Sequence, residues 1–348
     1  MLSFMNQRGD SMKRSTNIIL IIFITINLLF STSLFILYGP IDTFRTFWIT
    51  TAMSTMTHQN LAHWFYSDKI INKVMANNKV IESEEPTNIK LIKKVNNEKQ
   101  VYVDSYDEQI LKRDKGNDLY KVINVSSYNY KGYLVAIYDP SRISLAMTRF
   151  LNNKGEILTD IAKNNKAVVA VNASGFIDPD GMGSGALPTG SVIQNGKIVY
   201  SSPSPGRDGG VIGFDKNNNL ILTKENMNSA LSKYKLRDAV EFGPFLIVNG
   251  KKSNIIGNGG FGIHPRTVIG QRSDGIVLLL IIDGRSIESL GADMNDLIKI
   301  MTNYKAINAA NLDGGASTTL VVNNKVVNNP ATNGPVGQRR LPNAWIIK

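Results

Sequence analysis

The 348-residue sequence contains no cysteine. Disulfides, thiolate metal sites, a Cys nucleophile and a lipidated N-terminal Cys are therefore excluded. An exported form of such a chain must draw its stability from its core. Histidine is nearly as scarce, with only His58, His63 and His264. His58 and His63 miss the i, i+4 spacing of a helical zinc pair. No hydroxyl is paired with His264 by any motif, which argues against a Ser-His-Asp triad. Long basic runs with interleaved aromatics are also missing. The net charge of +11 is spread thinly, so nucleic acid is not expected as a partner. A diffuse basic surface suits an anionic wall or a phosphate-bearing polymer, and it also suits plain solubility.

Several motifs fail on context. Gly181, Gly183 and Gly185 form a Gly-rich loop but follow no strand-to-helix dinucleotide pattern; the loop reads instead as a lid beside Asn172. Ser232 and Lys235 match Ser-x-x-Lys, yet no Lys-Thr-Gly accompanies them. No Gly-x-Ser-x-Gly surrounds Ser317. No repeat of fixed period is present.

One long hydrophobic run stands out. Ile18 to Tyr38 is almost uninterrupted apolar sequence, and about 20 such residues span a bilayer. Arg8, Lys13 and Arg14 precede it, which places the N-terminus in the cytoplasm and the rest of the chain outside. Ser31-Thr32-Ser33 also reads as a cleavage site, but apolar residues continue past it, which favours an uncleaved anchor. From Thr43 to Tyr66 apolar residues recur near helical spacing, as in a membrane-surface helix or a stalk helix packed on a domain. Ser67 to about Gly116 is charge-rich, and Ser83-Glu84-Glu85-Pro86 reads as a linker.

From Tyr120 onward, short strands and turn signals take over. Tyr120–Val125 and Tyr133–Tyr138 read as strands. Hairpins are expected about Asn195-Gly196, Lys216–Asn219, Asn249-Gly250, Ser273–Gly275 and Asn323-Asn324. Helices are expected over Leu290–Tyr304 and Ile157–Asn164. The expected fold class is α+β: a strand-rich domain with a central mixed sheet and a few packed helices, preceded by one transmembrane helix. The organisation is a tail over 1–17, an anchor over 18–38, an amphipathic stalk and charged linker over 39–116, and a catalytic domain over 117–348.

Three apolar strands each end in a polar group: Asn172, Asp283 and Asp313. Sites are commonly built where such ends converge. Asp313 is followed by Gly314-Gly315-Ala316 and then by Ser317, Thr318 and Thr319. Glycine there permits close backbone approach, so the turn either presents its Asp to a ligand or is a simple hairpin with a solvated carboxylate.

The ordered set of Asn172–Phe176, Leu187–Gly190, Gly243–Phe245, Pro265–Gly270, Asp283–Arg285, Asn311–Thr319 and Arg339-Arg340 resembles the phosphodiester glycosidase family over roughly Lys121 to Lys348. Departures are small, such as Ala173 and Ala316 where glycine is common. The resemblance implies hydrolysis of a sugar 1-phosphodiester to free sugar and a phosphomonoester. Glycoside hydrolysis usually employs two carboxylates, so Asp283 and Asp313 are the expected catalytic pair. A phosphate leaving group needs cationic donors, and arginine forks suit its oxygens. Arg266, Arg285 and Arg340 are the phosphate candidates, with Asn172, Gly314, Gly315, Ser317 and Thr318 as further substrate contacts. Pairing of Asp283 with Arg285, or turn capping by Asn172, is the structural alternative. No cofactor is expected. Asp283 and Asp313 offer oxygens to a divalent metal, which two carboxylates alone leave open. The expected partners are a phosphate-containing glycan and the membrane. The alternative is a non-catalytic surface protein that binds an anionic glycan in exopolysaccharide assembly.

Overall fold

The structure, a computed structural model, describes residues 2–55, 58–93, 102–178, 183–203, 209–332 and 334–348. Gly181 and the rest of 179–182 lie outside the described residues, and so does that part of the expected lid.

Three sheets form the body. The seven-stranded sheet runs, in spatial order, Lys251–Lys252, Phe245–Val248, Ala306–Asn311, Arg266–Arg272, Val277–Ile282, Lys131–Ile137 and Tyr120–Ser126. One five-stranded sheet comprises Leu220–Thr223, Gly210–Asp215, Leu236–Phe242, Val192–Gln194 and Lys197–Tyr200. The other comprises Lys325–Val326, Leu320–Val322, Val169–Asn172, Asn343–Ile347 and Ile143–Met147. The α+β, strand-rich architecture is as expected. The pairings among described strands are antiparallel throughout rather than mixed.

Why the strands are so apolar follows from their two faces. Val135, Ile137, Leu279 and Ile281 point into a core shared by all three sheets, together with Val171, Phe214 and Trp345. Their sequence neighbours Leu134, Ala136, Leu278 and Leu280 point the other way, against the helix Met294–Asn303. A strand buried on both faces loses the polar alternation of a half-exposed one. The two smaller sheets repeat the plan. The helix Leu158–Asn164 covers one through Leu158, Ile161 and Ala162. The helix Met227–Tyr234 covers the other through Met227 and Ala230.

The expected hairpins form. Asn195 and Gly196, with φ of 51° and 72°, and Asn249 and Gly250, with 55° and 78°, take the left-handed conformation a tight hairpin requires. The helix expected from Leu290 begins only at Met294. Asp293 caps it, in a reciprocal box with Asp296, and Leu290 is left exposed.

N-terminal to the sheets, one helix runs Leu2–Tyr38, and its Thr16–Tyr38 part is long and apolar enough to cross a membrane. Thr25, Asn27 and Ser33 donate to the carbonyls four residues back, which satisfies them without water. The next segment follows the stalk-helix alternative, with packing on the domain. The helix Asp42–Met53 buries Ile49 and Ala52 with Ala62, Tyr66 and Ile71. The stretch expected to be a linker is bonded down instead. Lys79–Ile81 pairs with Asn254–Ile256, and the Glu82 carboxylate accepts from Phe245 N at 2.6 Å and meets Lys224 Nζ at 2.9 Å. Thr87 exchanges bonds with Leu222.

Trp345 is fully buried and meets Phe214 edge to face at 5.5 Å, joining two sheets. Replacement by alanine is expected to lower stability by about 3–5 kcal/mol, read as an earlier urea unfolding midpoint; an unchanged midpoint would deny that this contact organises the shared core.

Candidate active site

The Asp313 turn is fastened to two sheets before any ligand is considered. Leu312 N donates to Thr267 O at 2.8 Å, Asp313 N to Ala173 O at 3.1 Å and Gly315 N to Pro265 O at 2.9 Å. A Cβ on Gly314 would sit 2.7 Å from Pro265 O, so only glycine allows this approach. Asn172 locks the arrangement. Its Nδ2 donates to Asp313 O at 2.6 Å, while its Oδ1 accepts from Thr267 Oγ1 at 2.8 Å and from Thr319 N at 3.2 Å.

Above this turn opens a cleft of about 960 Å³. Asp313, Gly314, Gly315 and Ser317 line it on one side. Arg266, Arg285, Arg339, Arg340 and Lys154 bring positive charge to it, and Asp313 is the only carboxylate lining it among the described residues. Gly175 and Thr189 lie beside the Asp313 carboxylate: a Cβ on Gly175 would be 3.4 Å from Thr189 Oγ1 and 3.7 Å from Asp313 Oδ1.

The arginines differ in what they are free to do. Arg266 is buried and donates to Ala292 O, Phe261 O and Gly262 O, so it braces a loop. Arg339 is aimed by Asp178 at 2.8 Å and by the Phe176 ring at 4.5 Å. Arg340 reaches Gly155 O at 3.4 Å. Arg285 sits at φ 59°, and a Cβ on Gly315 would lie 3.2 Å from its Nη2. Its guanidinium meets His264 Nδ1 at 3.4 Å; among the described residues it has no carboxylate. The residue reaches solvent through the cleft, yet its guanidinium is crowded by protein atoms. That crowding, and then the charge of Arg339, push it below its ordinary pKa. A guanidinium with a second cation as neighbour and, among the described residues, no carboxylate of its own forms a place for an anion.

The expected pairing of Asp283 with Asp313 across the cleft does not occur. Asp283 is buried and does not line it. Its Oδ1 accepts from Asn328 Nδ2 at 2.9 Å and Asn329 N at 3.0 Å. Asn328 in turn donates to Thr318 O and accepts from Leu320 N. Asp283 therefore supports the far side of the Asp313 turn and the chain leading to Thr332. Asn172 and Thr318 are likewise fully buried behind the site rather than in it. The structural alternative of an Asp283–Arg285 pair is not formed either. Gly183 and Gly185, expected in a lid, are tied down: Gly183 N donates to Asp178 Oδ1, and a Cβ on Gly185 would meet Arg340 O at 2.5 Å.

Sequence reasoning missed His264 and Arg339 as cleft residues. Arg339 stood beside Arg340 in the same motif, while His264 immediately preceded another. No three His, Asp or Glu side chains converge on a metal-sized space among the described residues.

Burial pushes the Asp283 carboxyl up, against the downward pull of the Asn328 and Asn329 bonds. A raised folded-state pKa means stability present below the unfolded carboxylate value and lost as pH rises through the folded one. Asp283→Asn keeps an acceptor for both donors and sheds that loss, so it is expected to melt at or above the wild-type temperature at pH 7, with the difference shrinking toward pH 4. Asp283→Ala strands the donors and is expected to cost about 1–3 kcal/mol. A large loss for the Asn variant would overturn the supporting role.

A sequence model of the family "Phosphodiester glycosidase" matches residues 165–348. An uncharacterised prophage-derived protein of Bacillus subtilis is 29% identical over 180 residues, which is 50% of this chain and 27% of that protein. Human N-acetylglucosamine-1-phosphodiester alpha-N-acetylglucosaminidase is 24% identical over 196 residues, 56% of this chain and 34% of the human one. The chain thus spans about a third or less of these relatives. The solved catalytic domain of the zebrafish enzyme, auto-inhibited by its pro-peptide, shares the fold: TM-score 0.55 at 20% identity, over 67% of this chain and 85% of that one. With the family model covering more than half of its length, the chain belongs to the phosphodiester glycosidase family.

Proposed function

We propose that the chain hydrolyses a sugar 1-phosphodiester, releasing free sugar and a phosphomonoester. The observation that carries this reading is Arg285, a crowded guanidinium without a carboxylate among the described residues, across a glycine turn from Asp313. Arg285, with Arg339 and Arg340, holds the phosphate. As the bond from the anomeric carbon to the phosphate oxygen breaks, its electron pair leaves on that oxygen, where the guanidinium groups stabilise it. A phosphomonoester leaves far more readily than a sugar alkoxide, so protonation by a second acid matters less. Asp313 acts at the anomeric carbon, where positive charge develops and where water must arrive. In this reading Arg266 and Asp283 take supporting roles, and Asn172 and Thr318 hold the turn from behind.

The substrate class that fits is a phosphate-linked surface polysaccharide or teichoic-acid-like glycan, in keeping with the basic cleft and the net charge of +11. The Thr16–Tyr38 helix would anchor the chain in the cell membrane with the sheets outside.

One observation favours a second reading. Of the two acids expected, only Asp313 reaches the cleft, which would suit a protein that binds an anionic glycan without cleaving it.

A panel of sugar 1-phosphodiesters separates the two. Wild type is expected to release reducing sugar. Asp313→Asn should lose turnover by about 10³-fold, and Arg285→Gln should lose kcat/KM by about 10²–10³-fold. Arg285→Gln is also expected to melt no earlier than wild type, because removing one of two crowded cations relieves repulsion. Binding of the glycan by wild type without release from any member of the panel would decide for the binding protein.

A further inference from the structure

The cleft has a wall that no family motif supplies. Ser54, Thr55 and His58 line it, and all three belong to the segment that follows the apolar helix and the helix Asp42–Met53. The family match begins only at residue 165.

This segment is seated rather than draped. Ser54 Oγ lies 2.8 Å from His264 Nε2, and Thr51 O lies 3.1 Å from the same nitrogen. A carbonyl can only accept, so Nε2 carries the proton, and Nδ1 is left to accept from Arg285 Nη2. The segment and the phosphate-binding guanidinium therefore meet on opposite edges of one imidazole ring. Asn258 Nδ2 donates to Thr50 Oγ1 at 2.8 Å. Gly262, at φ 59°, runs so close that a Cβ there would lie 2.5 Å from Thr51 Cα. Arg266 grips the carbonyls of Phe261 and Gly262, holding that loop against the helix. Further along, Asn78 Oδ1 accepts from Asn258 N at 2.9 Å, and Lys79–Ile81 joins Asn254–Ile256 as a strand. The segment is thus fixed to the domain on both sides of the cleft wall.

We infer that Ser54, Thr55 and His58 form a standing wall of the substrate cleft and contact the group bound there. The inference rests on the proposed function for the identity of the substrate, but not for the existence of the wall. Hydroxyl and imidazole groups facing a basic cleft suit the hydroxyls of a sugar next to its phosphate. The membrane-proximal segment is then part of the recognition machinery and not a spacer.

The absence of cysteine makes a direct test available in the full chain. His58→Cys gives a single thiol on the wall, and Lys69→Cys gives one on an exposed turn of the helix Asp68–Ala76. Inorganic phosphate at saturating concentration is expected to slow modification of the wall thiol by a bulky anionic thiol reagent about tenfold, and to leave the helix thiol unchanged. Modified H58C protein is expected to lose kcat/KM for a sugar 1-phosphodiester by about tenfold or more, mainly through KM, while modified K69C protein keeps it. Equal modification rates of H58C with and without phosphate would overturn the wall. So would unchanged turnover after modification, or a rise in turnover, which would make the segment a plug. Phosphate protection of H58C in a protein with no turnover on any phosphodiester would sustain the wall and sink the proposed reaction instead.

Discussion

The amide of Asn172 decides where everything else in the site can be. It lies fully buried at the end of Val169–Asn172 and makes three hydrogen bonds to three other segments. A buried amide that loses its partners incurs the full desolvation penalty, and a satisfied network inside a core is correspondingly rigid. Thr267 brings in the seven-stranded sheet, Thr319 the start of the neighbouring strand, and Asp313 the turn itself. One side chain thus translates the packing of two sheets into the position of a single carboxylate. The hydrogen bonds of Pro265, Thr267 and Ala173 to the turn only make sense once that junction is closed.

Charge compensation separates the site from the rest of the molecule. Arg272 is buried between Asp107 and Asp274, each at 2.8 Å. Arg237 pairs with the buried Asp238, and Arg149 grips Glu156 at 2.8 Å. In these pairs a buried charge is matched with an opposite one, as burial demands, while Arg266 and Asp283 are met by carbonyls and amides instead. Arg285 differs from these pairs: it has Arg339 as a repulsive neighbour and, among the described residues, no acid of its own. Natural proteins tolerate such local conflict where a ligand resolves it. The conflict is sharpest where Gly315 allows the guanidinium to come within contact of the turn.

Local signals made much of the fold legible. Asn-Gly pairs announced hairpins because their left-handed backbone is a property of two residues. Long apolar runs announced the strands and the N-terminal helix. The helix Met227–Tyr234 escaped notice because its buried face is only Met227 and Ala230, too little for a period to show. The site was half legible. Asp283 and Asp313 look alike in sequence, each ending an apolar strand before a glycine. What separates them is Asn328, forty-five positions from Asp283, which bonds that carboxylate, while Asp313 lines the cleft. No spacing rule carries that information. Arg339 and Arg340 differ in the same way, since Asp178 and the Phe176 ring select the first for aiming. The association of Thr51 and Ser54 with His264 joins residues more than two hundred apart and could only come from tertiary structure.

The strand Val277–Ile282 is wholly apolar and sits between two partners, Arg266–Arg272 and Lys131–Ile137. Its safety comes from that interior seat. A six-residue stretch of Val, Leu and Ile with no charge and no proline is the kind of segment that stacks with copies of itself when laid bare. Once opened by heat, molecules would meet through this strand faster than each could re-form its own sheet. Survival of the folded chain would then be governed by how seldom it opens, a matter of rate rather than of equilibrium.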